Sequence, residues 1–366
     1  MSTNGRAVTQ SDVARAAGVS RSLVSLALSD SPKVAADTRR RIREAAASLG
    51  YRVNVSASSL ARRRSTIIGL VLPNLRNAFF EQIAACLGRA AARRDLALFV
   101  TVGSDQPEVL HRAIESLLGV RVAGIILVSP WLAGEDLLAI GEEVPVCVIG
   151  RRSPGGGVDS VRVDEEAAAR LIVGHLTGLD LRTVCYIGPR MTDEASRHER
   201  ERALAGAAGA AGLVFEARDC GEDAGPAARA ALNDHPEPLG LVIHNDVLAI
   251  DAVPVLRESR RIPGIDVALV SYDNTYLARR EEFSLTSIDQ PEDLLGERAV
   301  DLVCRRAGLA GDDGPEAGAG ARSVVLEPEL VARASSLGRR RPPPRPRAED
   351  DGPGPRPAPP GDSSLS

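Results

Sequence analysis

Residues 11–28, SDVARAAGVSRSLVSLAL, decide the reading of the chain. Val13, Ala14 and Ala17 share one face at helical spacing. Gly18 supplies a tight turn, Val19 plugs the gap between two helices, and Ser20 caps a second helix running from about Arg21 to Leu28. Val24 and Leu28 fall on its inward face, which leaves Arg21, Ser22, Ser25 and Leu26 looking outward. Two short helices joined in this way form a helix-turn-helix, a unit that lays its second helix in the major groove of DNA. An ordinary amphipathic helix pair produces the same local pattern, so the flanking sequence has to discriminate.

Charge is partitioned along the chain. The 366 residues include 45 basic and 49 acidic side chains, a net charge of −4. Residues 1–64 hold 12 basic and 4 acidic side chains and carry +8, residues 65–337 carry −14, and residues 338–366 carry +2. A positive module attached to an acidic body is the footprint of a DNA-binding head on a sensor, with phosphate attraction supplying most of the non-specific affinity.

After the second helix and a loop, SDSPKVAAD, a third helix is expected over TRRRIREAAASLG. Ile42, Ala45, Ala46 and Leu49 would form its buried stripe, and Gly50 would close it. Tyr51 and Asn54 follow, then NVSASSLARRRS, which contains Leu60. Together VARAAGVSRSLVSLALSDSPKV, TRRRIREAAASLGYRVN and SSLARRRSTIIGLVLPNLRNAFF resemble the lactose- and purine-repressor (LacI/GalR) family of bacterial regulators. The resemblance extends from about Thr9 to Leu337.

That resemblance implies a helix-turn-helix head over residues 1–54 and a hinge and linker over 55–64 that becomes helical only on operator DNA. It further implies an effector-binding and dimerisation core over 65–337. Arg21, Ser22 and Leu26 match the three reading positions of the recognition helix. Ser25, Thr38, Tyr51 and Asn54 complete the expected DNA contacts, and Leu60 matches the leucine that wedges into the minor groove and bends the duplex. The chain departs from the family in four places: Leu26 where arginine is commonest, Leu23 where threonine is usual, Val53 where proline is usual, and Ala35 where serine caps the third helix.

From Ser65 the composition changes to short apolar runs separated by Ala-rich helical stretches. Strands are expected at Ile67–Leu72, Ala97–Val102, Gly124–Val128 and Val146–Ile149, then at Val184–Ile187, Leu213–Glu216, Leu241–His244 and Val267–Tyr272. This pattern indicates two parallel sheets with crossover helices. The expected fold is therefore an all-α head plus a two-lobed α/β core of the periplasmic-binding-protein type, the chain crossing between lobes near 160, 290 and 320. Ligands of such folds lie outside the carboxyl ends of the strands.

Polar and aromatic residues stand at those ends. Asn77 and Phe79, with Asn74 and Phe80, follow the first strand; Ser129 and Trp131 follow the third; Arg151 follows the fourth. Arg200 in SRHERERAL, Asn245 and Asp246 in VIHNDVLAI, and Asp273 in VSYDNT match the family's effector residues. A guanidinium opposite carboxylates suits a vicinal diol, whose hydroxyls both donate and accept. A sugar is the expected effector, and an ion pair between Arg200 and Asp273 is the structural alternative for those two residues. Gly150, where an acidic ligand is common, and Asp223, where an aromatic wall is common, depart from the sugar-binding pattern.

Enzyme readings find little to stand on. Lys33 is the sole lysine and lies in the head, so the core has no P-loop or Schiff-base lysine. There is no His-Glu-x-x-His, no Gly-x-Ser-x-Gly and no spaced Cys/His cluster, so no catalytic residue, metal or cofactor is expected. Cys86, Cys147, Cys185, Cys220 and Cys304 lie in apolar runs and read as reduced core thiols of a cytoplasmic protein. No stretch is apolar enough to span a membrane, and no signal-peptide region opens the chain. The Pro-, Gly- and charge-rich segment 338–366 should be disordered; it lacks leucine heptads, so a homodimer rather than a tetramer is expected. A solute-binding receptor with no DNA role is the alternative, opposed by the basic head.

Overall fold

The computed structural model describes residues 8–28, 31–51, 65–104, 106–190, 196–309 and 320–337. The head consists of α1 (Gln10–Ala17), α2 (Arg21–Leu28) and α3 (Ala36–Ser48). A capping box starts α1: the Asp12 N–H donates to Thr9 Oγ1 at 3.4 Å, and the Thr9 N–H donates to Asp12 Oδ2 at 2.9 Å. Gly18 ends α1 in the left-handed conformation, with φ 65°. The Val19 N–H then reaches the Ala14 carbonyl at 3.0 Å, the bond that closes a glycine-terminated helix. Ser20 caps α2, its Oγ accepting the Leu23 N–H at 3.2 Å.

Val13, Val24 and Ile42 are fully buried at the centre of the head, with Val34 closing it from the loop. Arg39 fastens that loop by donating from Nη2 to the Ser31 carbonyl at 2.7 Å and to the Val34 carbonyl at 3.0 Å. Two expected core positions differ. Ala27, three residues after Val24, is the second buried residue of α2, and Leu28 is half-buried at its last position. Leu49 is 37% exposed because α3 ends at Ser48 and the helical stripe stops with it; Tyr51 packs on the core instead.

The third helix begins at Ala36, and Ala35 at its N-cap offers no side-chain acceptor. Its first N–H groups therefore lack the bond that a serine hydroxyl would supply. Ala35→Ser is expected to stabilise the head by about 0.5–1 kcal/mol, read as a higher urea midpoint with an unchanged slope. A midpoint equal to or below that of the parent would show that the Ala35 backbone does not admit the cap.

The remaining chain alternates strands and helices: β1 (Ile67–Leu72), α4 (Ala78–Ala92), β2 (Ala97–Val102), α5 (Pro107–Gly119), β3 (Gly124–Val128), α6 (Gly134–Glu143), β4 (Val146–Ile149) and β5 (Val158–Val163). Then come α7 (Glu165–Thr177), β6 (Thr183–Pro189), α8 (Ser196–Ala210), β7 (Val214–Cys220), α9 (Gly225–Asp234), β8 (Leu239–Ile243) and α10 (Asp246–Glu258). The chain ends its described part with β9 (Val267–Tyr272), α11 (Tyr276–Arg279), β10 (Thr286–Asp289), α12 (Glu292–Arg306), β11 (Ser323–Leu326), β12 (Glu329–Val331) and α13 (Ala334–Leu337).

Two six-stranded sheets result, ordered β11-β5-β4-β3-β1-β2 and β12-β10-β9-β8-β6-β7. The β1–β3, β3–β4, β6–β8 and β8–β9 pairs are parallel, and β12 is antiparallel to β10. By its internal contacts the chain forms two units, one of residues 1–74, 83–161 and 296–323, the other of 75–82, 162–295 and 324–366. Strands β1, β3, β4, β8 and β9 are buried at every residue, which is why they read as largely apolar runs; the hydroxyl of Ser271 in β9 is satisfied by Asp246.

Strand β5 is a finding beyond the sequence reading. Its sequence VDSVRV carries polar residues at buried positions. Asp159 is satisfied there by Arg306, whose Nη2 donates to its Oδ1 at 2.6 Å and whose Nε donates to its Oδ2 at 3.0 Å. All five cysteines are buried, and burial raises the thiol pKa of Cys147, Cys185 and Cys220. Among the described residues, no helix is long and apolar enough to cross a membrane.

Candidate nucleic-acid interface and effector site

On α2, Arg21, Ser22 and Leu26 are exposed while Val24 and Ala27 anchor the helix from its other side. Ser25 and Thr38 are half-buried. Tyr51 is half-buried as well: its ring packs on the head core and its N–H donates to the Ala46 carbonyl at 2.9 Å. Asn54 and Leu60 lie outside the described residues.

In the first unit, Ser129 and Trp131 follow β3 and Arg151 follows β4. The Ser129 N–H donates to the Ile149 carbonyl at 2.8 Å. Gly150 has φ 82°, and a Cβ there would lie 2.9 Å from Ser129 Oγ. An acidic side chain at this position would meet both backbone strain and that hydroxyl, so glycine there is dictated by the local geometry. Arg151 is buried and donates from Nη1 to the Leu132 carbonyl at 2.8 Å, which shapes the loop carrying Trp131. Trp131, Ser129 and Pro130 line a narrow cavity with Leu72 and Ser104 beyond the ends of β1 and β3.

The second unit gathers the other residues. Asn77 Oδ1 accepts the Phe79 N–H at 3.0 Å, and its Nδ2 donates to Asp273 Oδ2 at 2.9 Å. Gln290 Nε2 donates to the other oxygen, Oδ1, at 2.7 Å. Phe79 is buried and meets the half-buried Phe80 edge-on, with centroids 6.1 Å apart. Asn245 caps α10, its Oδ1 accepting the Leu248 N–H at 2.9 Å, which leaves its amide to serve a ligand. Asp246 is a structural residue: both oxygens are occupied, by Ser271 and Ser287 on Oδ1 and by the Thr275 N–H and hydroxyl on Oδ2.

Arg200 pairs with Glu165 and not with Asp273, the structural alternative for its partner. Its Nη2 donates to Glu165 Oε1 at 3.0 Å, its Nε lies 3.2 Å from Oε2, and its Nη1 donates to the His244 carbonyl at 2.5 Å. The guanidinium also stacks 3.7 Å above the centroid of the Tyr272 ring. Burial works against the charged form, but Glu165 and the two tyrosines outweigh it, and the net shift keeps Arg200 protonated. These contacts take three of the five guanidinium N–H groups and leave two for a ligand.

Glu165, Gln290, His244 and Tyr272 were missed by the sequence reading. The signal for Glu165 was present: DEE directly after β5 opens α7, with Asp164 as its cap. His244 is held well below the usual imidazole range, by burial first and then by Arg200 and Arg197, so it is neutral; Tyr186 Oη lies 2.8 Å from its Nδ1.

Asp273 stands at φ 95°, a left-handed conformation that an aspartate adopts only when its surroundings enforce it. Burial and then Asp246 push its carboxyl up to about 7, against the opposing effects of Arg200, Asn77 and Gln290. A raised acid favours the protonated folded state. Its contribution to stability is therefore present below the unfolded value near 3.8 and is lost as pH rises through about 7. Melting temperature is expected to fall between pH 5 and 8, and Asp273→Asn, whose amide stands in for the protonated acid, should flatten that slope. An unaltered slope in the variant would assign the pH dependence elsewhere.

Residues 9–54 match the model described as bacterial regulatory proteins, lacI family, and residues 173–336 match a periplasmic binding protein-like domain. The HTH-type transcriptional regulator DegA of Bacillus subtilis is 27% identical over 338 residues, covering 89% of this chain and 97% of that protein. The maltose regulon regulatory protein MalI of Escherichia coli is 28% identical, covering 82% of this chain and 92% of MalI. Among solved structures, the Lac repressor dimer bound to operator and the anti-inducer ONPF is similar with a TM-score of 0.76 at 26% identity, covering 91% of this chain and all of that one. A complex of the transcriptional regulator CelR with cellobiose has a TM-score of 0.62 at 26% identity, covering 90% of this chain and 99% of that chain.

Proposed function

Because the chain belongs to the lacI family of bacterial regulatory proteins, we propose that it is a repressor that binds a palindromic operator as a homodimer and is controlled by an uncharged, hydroxyl-rich effector such as a sugar. Residues 1–54 read the DNA, 55–64 are the hinge that couples head to core, 65–337 bind the effector and the partner subunit, and 338–366 form a tail. The protein acts in the cytoplasm and is nucleoid-associated when bound to DNA. The relatives it resembles are transcription regulators, not enzymes.

The observation that carries this reading is α2, a helix anchored by Val24 and Ala27 that presents Arg21, Ser22 and Leu26 outward in a basic head. Self-association has a surface available in β2, an edge strand on which Phe99, Val100 and Val102 are exposed. An apolar edge of this kind is normally covered by a partner. The effector reading rests on the spare donors of Arg200, the Asn245 amide and the Asp273 carboxyl, groups that together can donate to and accept from sugar hydroxyls.

Selection of bound sequences from a random DNA pool tests the proposal, and a palindromic consensus is the expected result. Arg21→Ala should then cost about 1–3 kcal/mol of affinity and relax preference at one base pair per half-site. Equal loss on every sequence would make Arg21 a phosphate contact, and no enriched sequence would overturn the operator reading. Isothermal titration calorimetry measures the binding of candidate sugars.

A further inference from the structure

Arg200 is already neutralised before any ligand arrives. Glu165 is buried in the first turn of α7, where the positive end of the helix dipole favours its carboxylate. It bridges Nε and Nη2 of the guanidinium, and the two charges cancel at about hydrogen-bond distance. The other groups around Arg200 do not restore a positive charge. His244 and the phenols of Tyr186 and Tyr272 are neutral, burial having moved all three away from their charged forms. Arg197 on the same helix is paired with Glu201 at 3.0 Å and Asp219 at 2.7 Å. Asp273 and Asp246 stand on the side of β9 and α10, and burial moves both carboxyls toward the neutral acid, so neither supplies a positive charge.

We propose that Glu165 is a specificity-determining residue, which positions Arg200 and cancels its charge so that the site takes uncharged polyhydroxy ligands and rejects anionic ones such as uronates and phosphorylated sugars. The inference deepens the effector reading above and rests on it. A free guanidinium would attract a carboxylate or phosphate as strongly as a diol, because its planar fork matches both. With Glu165 in place the two remaining N–H groups act as neutral donors, with no net charge to hold an anion. Discrimination by such a repulsive element is how related ligands of one shape are told apart.

Two measurements on the full-length protein test it. In the first, calorimetry follows titrations of wild type with matched pairs, galactose against galacturonate and glucose against glucose 6-phosphate. The neutral member of any pair that binds is expected to bind about tenfold or more tighter. An anionic member that binds as tightly as its neutral counterpart overturns the proposal. In the second, thermal melts compare sulfate with chloride at matched ionic strength. Wild type should show only the general salting effect of sulfate, whereas Glu165→Gln, with its guanidinium uncovered, should show an additional, saturable rise that disappears in E165Q/R200M.

Absence of that rise in folded Glu165→Gln overturns the proposal. If the variant fails to fold in chloride, folding restored by sulfate supports it, and failure in both salts counts against it. Wild type that binds no sugar of either kind would defeat the effector reading, and the sulfate response would still decide the role of Glu165.

Discussion

Arg200→Ala is expected to destabilise the second unit by about 3–5 kcal/mol and to abolish the response to effector. The reason is what the truncation leaves behind. Glu165 would stay buried without its two N–H donors, the His244 carbonyl would lose its donor, and the Tyr272 ring would lose the cation stacked on it. An uncompensated buried carboxylate is the costly element, more than the lost pair itself. At about 2–4 °C per kcal/mol for a domain of this size, the melting temperature should drop by roughly 10 °C.

The double variant E165Q/R200M separates the two consequences. With neither charge buried, most of the lost stability should return, because a buried pair replaced by neutral groups of similar volume is often no less stable. The effector response should stay absent, since the donors are gone. Differential calorimetry checks the first part, and operator titration with and without an effector checks the second. A single variant that melts within a degree of wild type would mean that Glu165 finds another partner and that the pair is dispensable.

The contrast between these two residues shows what the sequence could and could not disclose. The head was legible because each of its devices is local: Gly18 and Ser20 act within four residues, and their bonds are observed. Strands such as Ile67–Leu72 and Gly124–Val128 were legible because burial on both sides requires an unbroken apolar run. β5 was not, because its Asp159 depends on Arg306, which is 147 residues away. The same limit applies to Arg200. Its importance could be read from its motif, but two carboxylates, Asp273 and Glu165, were available in sequence. The choice between them is made by where α7 starts, 35 residues earlier in the chain. Asp273 instead meets two amides, Asn77 and Gln290, drawn from either side of it in sequence.

Ile42→Ala is expected to abolish operator binding while leaving effector binding and the melting of the second unit unchanged. Ile42 is fully buried in the head, in contact with the small cluster built on Val13 and Val24. Removing its three outer carbons loses their transfer energy and leaves a cavity that α1 and α2 cannot close without giving up their own caps. Such a substitution costs about 2–5 kcal/mol. A module of this size has only a few kcal/mol in hand, since a core this small rarely supplies more than about 3–5 kcal/mol. The head should therefore be largely unfolded, with its amide protons exchanging freely. Arg21→Ala provides the comparison, because that residue is exposed and its loss should spare the fold and reduce affinity by a smaller, base-dependent amount. If Ile42→Ala still bound the selected DNA within a few-fold of wild type, the packing of α3 against α1 and α2 would not be what holds the recognition helix in place.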